Sequence, residues 1–363
     1  MHVLTDILIA ILSSYLAFTN FLATGISDLL NIESVYPTEE TTEFVEPDVS
    51  ISALPGLAKH AIPDILLRST KYQSATVVGS AGLLGATTKD PFDAIVNVFC
   101  TLTTDEYIRT TTGSGFFIDP DGVIMTNAHV AQFLLLEEAN ELGDAKCIVR
   151  AGNPAAPEYQ AELLYLPPAW IQENAKVISA DVPMGTGERD YALLYVSERV
   201  DGSPLPAVFP ALGYDTDLLP LSTRNDYVLA AGYPAQPLFD NGPSADLIPH
   251  KATTTVSELY TFGSNHADVF SIRGSEVGAE GSSGGPVLND QGDVIGIIVT
   301  RGDDSIDGTG SLRAITLSHI EQTILEETGF NLERNLSGNL AFRSQIFTDT
   351  MAPFLLTILQ QSN

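Results

Sequence analysis

Hydrophobic and polar positions divide this chain into three textures. Ile7 to Ala23 is a seventeen-residue, mostly apolar stretch without formal charge. Counted on to Leu30, it approaches the ~20 residues that a bilayer-spanning helix needs. Residues 33–52 carry a run of carboxylates (Glu33, Glu39, Glu40, Glu43, Glu46, Asp48) and no Lys or Arg, a composition that buries little surface and reads as a linker. Residues 53–91 are ambiguous, with Ile62 to Leu67 able to open a short helix and Gly79 to Gly85 reading as loop.

From residue 92 onward the apolar runs become short and are broken by Gly, Pro, Asn and Asp. Twelve of them predict strands: 95–102, 115–118, 123–126, 147–150, 159–166, 191–196, 227–231, 253–259, 269–272, 286–288, 294–300 and 312–315. So many short strands with little helix between them imply an all-β barrel or sandwich. Asp119-Pro120-Asp121-Gly122 and Asn289-Asp290-Gln291-Gly292 carry the residue types of tight hairpin turns. One helix is predicted at 319–327, with Ser318 as its N-cap. The apolar tail 354–359 is too short to cross a bilayer and is expected to dock on the body of the protein or on a partner.

The N-terminal segment is read as an uncleaved anchor in preference to a signal peptide. Asp6 stands where a basic residue is usual, no Lys or Arg precedes Lys59, and Ala23-Thr24-Gly25 is a poor cleavage site. The body of the chain is then expected outside the cytoplasm, membrane-anchored through residues 7–30, or secreted if that segment is removed. Net charge is −29, from 46 acidic and 17 basic residues. Such a field repels phosphate backbones, so nucleic-acid binding is not expected. The acidity fits solubility or a salty environment better than attraction of basic substrates. Cys100 and Cys147 lie 47 residues apart, fit no metal-ligand spacing, and leave a disulfide open. No metal and no cofactor is expected.

Three separated segments carry chemistry: Thr126-Asn127-Ala128-His129, Arg189-Asp190-Tyr191-Ala192, and Gly281-Ser282-Ser283-Gly284-Gly285-Pro286. A serine hydroxyl is too weak an acid to attack a carbonyl unaided. It needs an imidazole to take its proton and a carboxylate to orient that imidazole. His129 follows a strand end, and Asp190 precedes one. Asp181 competes with Asp190, but Pro183 and nearby glycines place it in an exposed loop. Ser283 lies among glycines that let backbone N–H groups approach a reacting carbonyl, so Gly281 and Ser283 are the candidate oxyanion-hole donors.

Together with Gly113-Ser114-Gly115-Phe116-Phe117-Ile118, Ala231-Gly232-Tyr233-Pro234 and Val294-Ile295-Gly296-Ile297, these segments resemble the trypsin/chymotrypsin-like serine peptidases, and most closely their HtrA/Deg-type bacterial branch. The resemblance covers about residues 92–327. It implies two six-stranded β-barrels with a short C-terminal helix, preceded here by the N-terminal apolar helix. It also implies peptide-bond hydrolysis with His129 as general base, Asp190 as orienter and Ser283 as nucleophile. Taken with the hydropathy and charge pattern, the expected organisation is an anchor or signal segment (1–32), a linker and pre-domain segment (33–91), a peptidase domain (92–327) and a tail (328–363).

The family's pocket-base position falls at Val277, followed by Gly278 and Ala279. That uncharged base disfavours Lys or Arg at the cleaved position and favours small or medium apolar side chains. Glu280, nearer the rim, could favour basic neighbours. Ser282 stands where digestive enzymes carry an aspartate, so activation by a freed N-terminus is not expected. The Val77-Val78-Gly79 run, with no Arg or Lys before it, gives that route little support. The 36 residues after Glu327 are too few for a PDZ domain, so PDZ-linked regulation and trimerisation are not carried over. Protein or peptide substrates are expected, and the oligomeric state stays open. Two rival readings remain: a protease fold kept as a binding module, and an acyl-ester hydrolase. The order His, Asp, Ser and a strand after the serine run against the second.

Overall fold

In the computed structural model, residues 85–362 are described apart from 105–106, 139–143 and 180–186, together with Leu66, Leu67, Ser69, Tyr72 and Gln73. The expected membrane segment, most of the acidic linker and pre-domain segment, the Val77-Val78-Gly79 run and Asp181 lie outside the described residues. Among those described, no helix is long and apolar enough to cross a membrane.

The first barrel closes in the order β1 (Ile95–Thr103), β2 (Ile108–Asp119), β3 (Val123–Thr126), β6 (Ala192–Arg199), β5 (Ala156–Tyr165) and β4 (Asp144–Ala151). The second follows the order β11 (Pro286–Leu288), β8 (Tyr227–Gly232), β9 (His250–Tyr260), β10 (Val269–Ile272), β13 (Leu312–Thr316) and β12 (Asp293–Arg301), and the β11–β12 pairing closes the ring. A two-residue strand, β7 (Gly213–Tyr214), adds to β12 in parallel. The all-β architecture expected from the strand pattern and the two six-stranded barrels implied by the family resemblance are therefore observed.

The barrels form where alternating apolar residues can face inward on every strand. Phe116, Val123, Ile124, Leu193 and Leu194 are buried in the core around the first barrel, neighbours along a strand on opposite faces; Val228, Phe270, Val287 and Ala314 are buried in the core of the second. Both predicted hairpin turns form. Gly122 and Gly292 adopt positive φ and donate their N–H groups to Asp119 and Asn289 carbonyls at 3.1 and 3.2 Å. The start of β2 falls outside the pattern because Arg109 to Thr112 are polar and Ile108 to Thr112 are exposed or half-buried, with full burial beginning only at Gly113. β7 is too short to carry a periodicity.

Cys100 and Cys147 sit opposite each other on β1 and β4 and form a disulfide. The predicted helix runs from Leu317 to Thr328, and its N-cap is Thr316, not Ser318. Thr316 ends β13 with an extended backbone, and its hydroxyl accepts the His319 N–H at 3.1 Å. Ser318 already lies inside the first turn. His319 hydrogen-bonds Asp268 at 3.1 Å and is pushed down in pKa by burial, against the pull of that carboxylate. This pair ties the helix to the second barrel.

The chain beyond 328 is helical from Leu340 through Ser362. Its apolar face, with Leu355 and Leu359 fully buried, packs on the Pro168–Asn174 helix beside the first barrel. Of the two dockings left open for the tail, on the body or on a partner, that on the body is observed. Tyr72 and Leu67 are also buried, and Gln73 donates to the Thr328 carbonyl at 2.9 Å.

Candidate active site

The pairing of β3 with β6 sets the first two candidate residues side by side. Thr126 is registered with Ala192, so the turn carrying His129 leaves β3 where the segment carrying Asp190 enters β6. Both carboxylate oxygens of Asp190 hold the same residue: Oδ2 lies 2.7 Å from His129 Nδ1, and Oδ1 accepts the His129 backbone N–H at 2.9 Å. Asn127 donates to the Asp190 carbonyl at 2.8 Å. Asp190 is fully buried and His129 is buried. A carboxylate can only accept, so Nδ1 carries the proton and Nε2 is the ring nitrogen left to act as a base.

Arg189, just before Asp190, has φ +54°, a left-handed conformation uncommon for a residue with a side chain. Its guanidinium reaches Glu327 of the Leu317–Thr328 helix at 3.1 Å, and the Tyr191 hydroxyl bonds Thr323 of the same helix at 2.9 Å. The helix therefore braces both sides of Asp190.

Ser283 lies in the loop entering β11. Gly281 and Gly284 take φ values of +93° and +88°, which glycine alone adopts without strain. A methyl group at Gly284 would run into the Ser114 carbonyl. Within the loop, Ser282 donates its hydroxyl to the Val277 carbonyl at 2.5 Å, Gly284 donates to Ile298 at 2.8 Å and Gly285 to Ser282 at 2.9 Å. Among the described residues, the N–H groups of Gly281 and Ser283 donate to no protein acceptor. The Ser283 hydroxyl likewise makes no hydrogen bond to a described residue.

Ser283 and His129 line one cavity between the two barrels, with Phe99 and Arg109 on the first-barrel side and Glu280 and Arg301 on the other. The structure thus brings His129, Asp190, Ser283 and Gly281 together. Of the three pocket residues expected from sequence, Ala279 lines this cavity. Val277 is fully buried in the core of the second barrel, and Gly278 is pressed against the backbone of Gly310. Thr300, Arg301 and Leu312 also form the wall; only the path of β12 and β13 brings them there, so no local motif marks them.

Residues 113–297 match the trypsin-like peptidase domain family, and the chain belongs to it. It is 26% identical over 259 residues to serine protease HTR4 of Rattus norvegicus, covering 71% of this chain and 42% of that protein. It is 31% identical over 185 residues to a probable periplasmic serine endoprotease, DegP-like, of Ectopseudomonas mendocina, covering 51% of this chain and 28% of that protein. The chain thus spans less than half the length of these relatives. Among solved structures it is similar to the active form of the Rv3671c protease from M. tuberculosis, at 18% identity and a TM-score of 0.39, over 82% of this chain and 95% of that one.

Proposed function

We propose that this chain is a serine endopeptidase that cleaves exposed segments of protein substrates by acyl-enzyme chemistry. The observation that carries the reading is the two-point grip of Asp190 on His129, beside a serine on the same cavity wall. In this scheme Asp190 keeps the imidazole in the Nδ1–H tautomer. Nε2 takes the Ser283 proton as the hydroxyl oxygen attacks the scissile carbonyl, and then passes it to the leaving amine. The oxyanion that forms is held by the N–H groups of Gly281 and Ser283, which have no competing protein acceptor among the described residues. The bond from Ser283 to Nε2 is absent in the free protein, and we assign its formation to the substrate complex.

The catalytic unit we assign to residues 92–327. The DegP-like relatives are named as periplasmic, which supports action outside the cytoplasm. Tethering through residues 7–30 completes the proposal. The second reading, a latent or inactive fold used as a binding module, draws on the missing Ser283–His129 bond.

Fluorophosphonate labelling of the wild type, Ser283→Ala and His129→Ala decides between them. Labelling of the wild type alone supports the peptidase. A well-folded wild type that resists the reagent supports the latent module.

A further inference from the structure

We propose that Ser114, on β2 of the first barrel, is a positioning residue that holds the oxyanion loop of the second. The proposal rests on the catalytic reading of Gly281 and Ser283 above. Ser114 is fully buried, and each of its polar groups is engaged around that loop. Its N–H donates to the Ser283 carbonyl at 2.7 Å, and its carbonyl accepts the Thr126 hydroxyl at 2.7 Å. Its own hydroxyl donates to the Gly281 carbonyl at 2.7 Å and accepts the Tyr233 N–H at 2.8 Å.

The direction of these bonds is forced. An N–H can only donate and a carbonyl can only accept, so the single hydroxyl proton must point at Gly281. The chain runs from Tyr233 N–H through Ser114 to the Gly281 carbonyl, and each bond polarises the next.

The consequence for the loop follows from peptide planarity. In a trans peptide the C=O and the next N–H point in opposite directions. The Glu280 carbonyl accepts from the Ala235 N–H at 2.6 Å, which turns the Gly281 N–H away from Ala235. Gly281 sits between that plane and the next, whose carbonyl Ser114 holds. With both flanking planes fixed, the Gly281 N–H keeps one direction although glycine has the widest backbone freedom of any residue. The backbone bond from Ser114 to Ser283 does not depend on the side chain. The Gly281–Ser282 plane has one other hold, the Ser282 N–H on the Ala279 carbonyl at 3.3 Å, so removing the hydroxyl loosens that plane, and with it the Gly281 N–H, while leaving the nucleophile's own tether in place.

An oxyanion donor acts on charge that develops in the transition state, so its misalignment lowers kcat and leaves KM nearly unchanged. Loss of one such donor costs about 10²–10³ in kcat. Loosening it by Ser114→Ala is expected to cost on the order of 10- to 100-fold. Binding of a peptide trifluoromethyl ketone, which forms an oxyanion on the enzyme, should weaken by about the same factor. Binding of a product peptide should not change.

The test measures kcat, KM and both inhibitor affinities on the full-length wild type and Ser114→Ala, with a thermal melt of each. A folded Ser114→Ala with unchanged kcat, or one whose loss lies wholly in KM, overturns the proposal. If Ser114→Ala does not fold, Ser114→Thr and Ser114→Cys replace it. The proposal then expects threonine to retain activity and the weakly donating thiol to lose it, and equal activity in both overturns it. An inert wild type sinks the catalytic reading and this proposal together, whereas an active wild type with an unchanged Ser114→Ala sinks this proposal alone.

Discussion

Replacing Gly281 with alanine tests the oxyanion loop at its tightest point. A Cβ on the present backbone would lie 2.6 Å from the Ala235 methyl, 2.7 Å from the Tyr233 carbonyl oxygen and 2.8 Å from the Ala235 nitrogen. All three are too close to be tolerated, and two of the three atoms belong to backbone. The φ of +93° adds roughly 1–3 kcal/mol of strain for any L side chain. Local relief requires rotation of the Glu280–Gly281 peptide, which breaks the bond from Ala235 to the Glu280 carbonyl and withdraws the Gly281 N–H. The strain and the lost bond together cost roughly 2–4 kcal/mol of stability, tolerable for a domain with the usual margin of about 5–15 kcal/mol. The lost donor costs about 3–4 kcal/mol in the transition state, or about 10²–10³ in kcat. Steady-state hydrolysis of a chromogenic peptide, with a thermal melt alongside, separates the two effects. A folded Gly281→Ala with kcat within about threefold of wild type would refute the assignment of this N–H to the oxyanion hole.

Two further predictions concern stability. The buried Asp119 carboxyl is pushed up to about 7, chiefly by desolvation against the bond from the Asp121 N–H. The folded state therefore holds a proton that the unfolded chain releases near 4, so this group's contribution is full below pH ~4 and lost as pH rises through ~7. Asp119→Asn keeps the acceptor that Asp121 uses at 2.8 Å, and should raise the melting temperature at pH 8 while leaving it little changed at pH 4. An equal shift at both pH values would count against the buried-carboxyl argument. Leu355→Ala removes a fully buried side chain from the C-terminal helix and should lower stability by about 2–5 kcal/mol, read from the urea midpoint. A loss below about 1 kcal/mol would mean that the tail does not pack as described.

Legibility from sequence followed the range of the forces involved. Val123–Thr126, Val269–Ile272 and Pro286–Leu288 form strands at the bounds their apolar runs suggested, because each is fully buried and its own composition carries the signal. The two hairpin turns were equally local: glycine alone supplies the positive φ at their ends. Thr316 was overlooked as a cap because it also ends a strand, and the choice between it and Ser318 depends on where β13 stops. The helical tail lacked a strong local signal, and its order comes from the surface it covers.

His129, Asp190 and Ser283 stood out as candidates because each lies in a short motif whose residue types suit its chemistry. Their convergence required the β3–β6 register and the closure of two barrels, interactions across 61 residues and more. The cavity wall depends still more on long-range packing: Thr300, Arg301 and Leu312 reach it through strand pairing, while Val277 is drawn into the core. Ser114 is the clearest case. In the chain it is a small residue between two glycines, in a segment that contributes to the family resemblance but gives no sign of a task for the hydroxyl. Its hydroxyl acquires a task only when the first barrel is set against a loop 167 residues away. Local composition settles which segments become strands, turns and candidate motifs, since those preferences act within a few residues. Hydrogen-bond geometry between distant segments exists only after the barrels pack, and that packing determines which serine, carbonyl and N–H meet.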